Sequence, residues 1–201
     1  MKHILLFTAF AGLLSLLAAC ASLPAPKSAD DSLVVGRFVL SFPDGFFDRQ
    51  PRSVDSRMLL HFYLPGERRH VSVFTSGGYF RFRSRGAGEL ILTGYDLTLR
   101  DNGVEYQLTD RLDQRFTTLP HEVVYLGETT ISYTNPQQVN RQSIGLESYT
   151  VQNMFTASWR YEYWDFGKSV TRSWDTEALK GYLQKKDPQS PWLSYEVFQG
   201  S

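Results

Sequence analysis

Between Tyr79 and Arg85 the chain reads Tyr-Phe-Arg-Phe-Arg-Ser-Arg, which puts Phe80 and Phe82 on one side of an extended segment and Arg81, Arg83 and Arg85 on the other. A helix would scatter these residues around its circumference, so a period of two commits the segment to a strand with one buried face. The same period runs from Leu33 to Phe42, where Val34, Gly36, Phe38, Leu40 and Phe42 share a side and Arg37 and Ser41 lie opposite. It returns in Met58, Leu60, Phe62 and Leu64, with His61 on the other side. Further strands are expected over 71–74, 89–99, 104–108 and 122–133, and one or two more within 144–166. Pro43-Asp44-Gly45, Pro65-Gly66, Ser76-Gly77-Gly78, Gly86-Ala87-Gly88 and Asp101-Asn102-Gly103 supply the turns between them. The last of these is a hairpin signal, and Gly94 within its strand marks a bulge or kink.

One segment reads as a helix. From Asp175 to Lys186 an aspartate stands at the N-cap, an acidic residue follows in the first turn and lysines close the last, with Pro188 just beyond. Leu179, Tyr182 and Leu183 form its apolar stripe. Many short strands and one late helix predict a mainly β protein, an antiparallel β-sandwich with a C-terminal helix. Residues 33–134 are expected to form the sandwich, with Phe38, Leu40, Phe62, Phe80, Phe82, Leu90 and Leu92 in its core, and residues 135–201 to add strands and the helix to the same domain.

The first 32 residues have a different character. Lys2 precedes an uncharged run from Ile4 to Ala19, too short for a comfortable membrane span and shaped like a signal peptide over residues 1–19. The run ends in Leu17-Ala18-Ala19-Cys20, which resembles the lipobox of bacterial lipoproteins. The resemblance implies cleavage before Cys20 and acylation of that residue, and it makes the membrane a partner through the acylated cysteine. Two or more acyl chains give stable anchoring where one gives only marginal binding. Ala21 stands where lipoproteins retained in the inner membrane carry aspartate, so the resemblance implies an outer-membrane location. Residues 20–32, with two prolines and small or polar side chains, are expected to be the lipidated cysteine and a flexible tether. Cys20 is the chain's single cysteine, so no internal disulfide is available and the fold rests on its core.

Three stretches carry a second resemblance: Ser76-Gly-Gly-Tyr-Phe-Arg-Phe82, Gly86-Ala-Gly-Glu-Leu-Ile-Leu92 and Leu119-Pro-His-Glu-Val-Val-Tyr-Leu-Gly127. Together they look like the transthyretin-like, or carboxypeptidase-regulatory-like, domain of bacterial envelope lipoproteins. Ala87, Glu89 and His121 depart from that pattern. The resemblance implies a sandwich without catalytic activity.

Lys+Arg and Asp+Glu are equal at 21 each, which removes the basic excess that a nucleic-acid partner requires. His61, His70 and His121 match no zinc spacing, so no metal and no cofactor is expected. There is no Gly-x-Ser-x-Gly elbow for a nucleophile, Asp165-Phe166-Gly167 lacks the loops that would make it a kinase motif, and Glu162 and Asp165 read as solvated strand carboxylates. The chain is therefore not expected to be an enzyme. Arg81, Arg83 and Arg85 are candidates for contact with an anionic ligand; the simpler reading is a solvated face that protects a sheet edge. Trp159, Tyr161, Tyr163, Trp164 and Phe166 can line an apolar groove or be packing on both faces of a strand. Two function classes remain. One is a lipid-anchored interaction or structural module that contacts another envelope protein, a glycan or lipid. The other is a carrier or receptor for an apolar ligand, since Gly36-Arg37-Phe38 resembles the opening strand of the outer-membrane receptor that accepts lipoproteins.

Overall fold

A computed structural model describes residues 22–43, 53–54, 58–101, 104–139, 148–153 and 158–200. The expected signal peptide, Cys20 and Ala21 lie outside the described residues. Within them the protein is mainly β, with strands β1 (Asp31–Ser41), β2 (Ser53–Val54), β3 (Met58–Leu64), β4 (Arg69–Phe74), β5 (Tyr79–Arg85), β6 (Gly88–Asp101), β7 (Val104–Thr118), β8 (Val123–Val139), β9 (Ser148–Asn153), β10 (Ser158–Ser173) and β11 (Val197–Gln199), and one helix, α1 (Thr176–Lys186).

These strands form a continuous hydrogen-bonded ladder in the order β2-β1-β8-β10-β9-β7-β6-β3-β4, with β5 added to β1 and β11 to β8. Most neighbours are antiparallel, but β1 and β8 run parallel, as do β11 and β8. The expectation of a purely antiparallel arrangement is thereby corrected. A parallel pair needs a long crossover, and the whole β2–β7 excursion between β1 and β8 provides one. β4, at one end of the ladder, and β5, added to β1 near the other end, are consecutive in the chain and joined by a turn carrying a Ser76–Tyr79 bridge. Arg69 Nη2 donates to Arg83 O at 3.1 Å, and the Glu67 carboxylate accepts from the Ser84 hydroxyl and the Arg85 N–H, so side chains tie the ends together. The sheet thus curls around one apolar interior.

All seven residues expected in the core are buried there. Phe62 on β3 lies 5.2 Å and 5.0 Å, centroid to centroid, from Phe80 and Phe82 on β5, and Phe38 on β1 lies 5.6 Å from Tyr95 on β6. Glycine at 36 is what allows β5 to close on β1, because a Cβ there would stand 2.6 Å from the Phe80 ring. Gly94 sits where the β6–β7 register shifts, and a Cβ would meet the Asp110 carbonyl at 2.4 Å. The expected bulge is therefore present, and it depends on the missing side chain.

β1 is buried on both faces. Its inner residues Val34, Phe38 and Leu40 join the interior, while Leu33 and Val35 enter a second cluster with Val123, Tyr125, Leu179, Leu183 and Trp192. That second cluster lies beneath α1, whose N-cap Asp175 accepts from the Ala178 N–H at 2.9 Å, as the sequence predicts. Each such Leu contributes about 1.5–3 kcal/mol by leaving water, so helix docking is driven by the Leu179 and Leu183 stripe. β8 runs through the expected boundary at 134/135, and the ladder continues across it.

Candidate functional site

On the outer face of β1 and β5, residues 22–30 do not hang free. Leu23 is only 5 % exposed and packs in the second cluster. Its N–H donates to Asp187 Oδ2 at 3.2 Å, at the C-terminal end of α1. Trp192 Nε1 donates to Pro24 O at 2.6 Å, and Arg83 Nη1 to Ala25 O at 3.4 Å. The flexible tether expected over 20–32 is corrected at particular residues of its described part: Leu23, Asp31 and Ser32 are buried and Pro24 and Pro26 half-buried, while Ser22, Ala25 and residues 27–30 stay exposed.

Asp31, fully buried at the start of β1, closes this clamp. Its carboxylate accepts from the N–H groups of Lys27 (2.6 Å) and Ser28 (3.1 Å) and from the Ser28 hydroxyl (2.9 Å). Arg83 Nε stands 3.4 Å and Arg85 Nε 3.8 Å from it. Burial alone would raise the Asp31 carboxyl, but these donors and the Arg83 charge outweigh it and hold it below the ordinary carboxylate value.

The arginine stripe is where the alternation puts it, opposite Phe80 and Phe82, but it is not a uniformly solvated face. Arg81 is half-buried and donates from Nη1 to the Tyr182 hydroxyl at 3.1 Å, beside a Tyr79–Tyr182 stack with centroids 3.9 Å apart. Arg83 has a side chain only 22 % exposed, whereas that of Arg85 is 66 % exposed. Two of the three candidate anion contacts therefore serve the clamp and the helix. Arg85 remains open, on a surface shared with Arg69, Arg83 and Glu67.

A second polar group sits inside the curled sheet and was not found by pattern. Asp110 on β7, almost fully buried, accepts from the Tyr133 hydroxyl at 2.8 Å and from Lys168 Nζ at 3.1 and 2.9 Å. Tyr133 spends its proton on Asp110, so its oxygen accepts from the Tyr95 hydroxyl. Burial foremost, with Tyr95 and Asp110 adding to it, pushes the Tyr133 phenol far above its ordinary value and keeps it a donor. Within the group each of these polar side chains finds a partner.

The histidines are engaged separately. His61 pairs with Ser72 and Asp96 at 2.9 Å each, His70 stacks on Tyr63, and His121 Nδ1 meets Ala29 O at 3.1 Å. Among the described residues no three His, Cys, Asp or Glu side chains gather at one point. Trp159, Tyr161, Tyr163 and Trp164 lie on β10, with side chains outside the described residues; Phe166 is buried against Tyr133. The three segments behind the transthyretin-like resemblance fall at the β4–β5 turn and β5, at β6, and at the start of β8. Among the described residues no helix is long and apolar enough to cross a membrane. No protein family, curated protein or solved structure matches the chain.

Proposed function

We propose that this protein is an outer-membrane lipoprotein, anchored through acylated Cys20, whose β domain works by contact and without catalysis. The observation that carries this reading is the clamp: the chain that follows the lipobox-like Leu17-Ala18-Ala19-Cys20 is built into the domain at Leu23 and Pro24. An anchor joined to the body by a packed segment fixes which face meets the membrane, as suits a module that presents a constant surface to its partner. The inner face supports the module over the carrier. Phe38, Phe62, Phe80, Phe82 and Tyr95 fill it from facing strands, which also suits a sandwich of the transthyretin-like kind, with β1 and β5 on one side and β3 and β6 on the other.

The test is Cys20→Ser. Metabolic labelling with an alkyne fatty acid should mark the wild-type protein and leave the variant unlabelled, because the chain has no second thiol. Label retained by the variant would sink the lipoprotein reading. Density fractionation that placed the wild type with inner-membrane markers would remove the outer-membrane assignment alone.

A further inference from the structure

Among the described residues Phe74 is the most exposed large apolar side chain, at 69 %. It ends β4, where Val71 and Val73 pack toward the interior and Phe74 points to the outer face, opposite Leu59 on β3. A single exposed apolar residue is ordinary on a protein surface. What distinguishes this one is its neighbour: Ser22, Leu23, Pro24, Phe74 and Arg81 border one cleft. Ser22 is two residues after Cys20 in the sequence, and extended chain spans at most about 3.6 Å per residue, so a lipid carried on Cys20 is tied by a short covalent link to this cleft. Leu23 and Pro24 are pinned to Asp187 and Trp192, so the segment cannot swing the cleft away.

We propose that Phe74 inserts into the phospholipid bilayer next to the acyl anchor and, with it, sets the orientation of the domain on the membrane. The proposal rests on the reading of Cys20 as acylated. An aromatic ring at the headgroup and acyl boundary buries apolar area that water otherwise meets. Arg81 borders the same cleft, with its guanidinium held by the Tyr182 hydroxyl.

In the acylated full-length protein Phe74→Cys is the one free thiol, because Cys20 is consumed by lipid. It is labelled with the environment-sensitive fluorophore NBD, and the protein is reconstituted on vesicles of phosphatidylethanolamine and phosphatidylglycerol. Asp113→Cys, at a side chain 69 % exposed, is labelled in parallel. The label at 74 should shift to the blue and be quenched several-fold by spin-labelled lipid, while the label at 113 stays as in water. Protein that carries lipid and floats with vesicles, yet whose label at 74 emits as in water, overturns the insertion and leaves the anchor standing. A label at 74 that turns blue without quenching by lipid would mean that a protein surface, such as a second copy, covers Phe74, and this too overturns it. Absence of the fatty-acid label from the protein removes the anchor and the insertion together.

Discussion

Among the described residues two aspartates are buried almost completely, Asp31 on the outer face and Asp110 in the interior, and they are compensated in opposite ways. Asp31 is satisfied by its own neighbourhood: two of its partners are backbone N–H groups three and four residues earlier, and the Ser28 hydroxyl is a third. Asp110 is satisfied only by tertiary structure, from Tyr133 on β8 and Lys168 on β10. A locally compensated charge can form as soon as its turn forms. A charge compensated across the sheet needs three strands in register first, so it ties the ladder together and is the more costly one to disturb.

The largest expected effect therefore lies inside. Lys168→Met keeps the aliphatic stem and removes the ammonium, leaving the Asp110 carboxyl group 1 % exposed and dependent on one phenol. Removing one partner of a buried pair typically costs about 3–5 kcal/mol, and because Lys168 is itself 29 % exposed the lower end, about 3 kcal/mol, is expected. Urea unfolding at neutral pH measures it. A loss below about 1 kcal/mol would mean that Tyr133 alone suffices and that the interior group is no more coupled than the clamp.

How much of this could be seen in the residues follows the same division. Period two exposed the strands and their inward faces from Phe38 through Leu92, because each pattern is local and one face is buried. The helix and its aspartate cap were legible for the same reason. The parallel β1–β8 pairing was not, since nothing in either strand names its neighbour. Asp110 and Lys168, 58 positions apart, each look like a solvated charge. Asp31 was passed over with the tether, although Ser28 three residues before a buried aspartate is the local signal that could have found the turn. Arg81 and Arg83 were correctly set opposite the core, but an outward face can still be covered, and α1 and the N-terminal segment cover it.

A smaller effect is expected at the clamp, and it carries a pH signature. Asp31→Asn keeps an acceptor but loses the charge that the donors favour, for about 1–2 kcal/mol at neutral pH. The folded carboxyl lies below its ordinary value of 3.8, so its charge-dependent contribution is complete above the unfolded value and is lost as pH falls through the lower, folded value. The difference between wild type and Asp31→Asn should thus be full at pH 7 and shrink below about pH 4. A difference that stayed constant down to pH 2.5 would show that the turn needs the shape of the side chain and not its charge.

The smallest effect separates two arginines that share Asp31. Arg83 is 22 % exposed, stands 3.4 Å from the carboxylate and also donates to Ala25 O, whereas Arg85 is 66 % exposed at 3.8 Å. Exposed pairs contribute about 0–1 kcal/mol, because the side chain gives up rotamer freedom for a screened attraction. Arg83→Gln should cost about 1 kcal/mol by loosening the N-terminal segment, and Arg85→Gln should stay within about 0.5 kcal/mol of wild type. Arg85, the more exposed and more distant of the two, is then the member of the stripe whose charge can be removed at the smallest cost to the clamp, which makes it the proper probe of anion contact. If cosedimentation with anionic vesicles falls on Arg85→Gln while the urea midpoint holds, that guanidinium reaches the membrane, and the fall should vanish in high salt because screening removes the same attraction. If binding is unchanged, the stripe's charges act inward, on Asp31 and Tyr182, and the proposed membrane contact rests on the proposed acyl anchor and Phe74 alone.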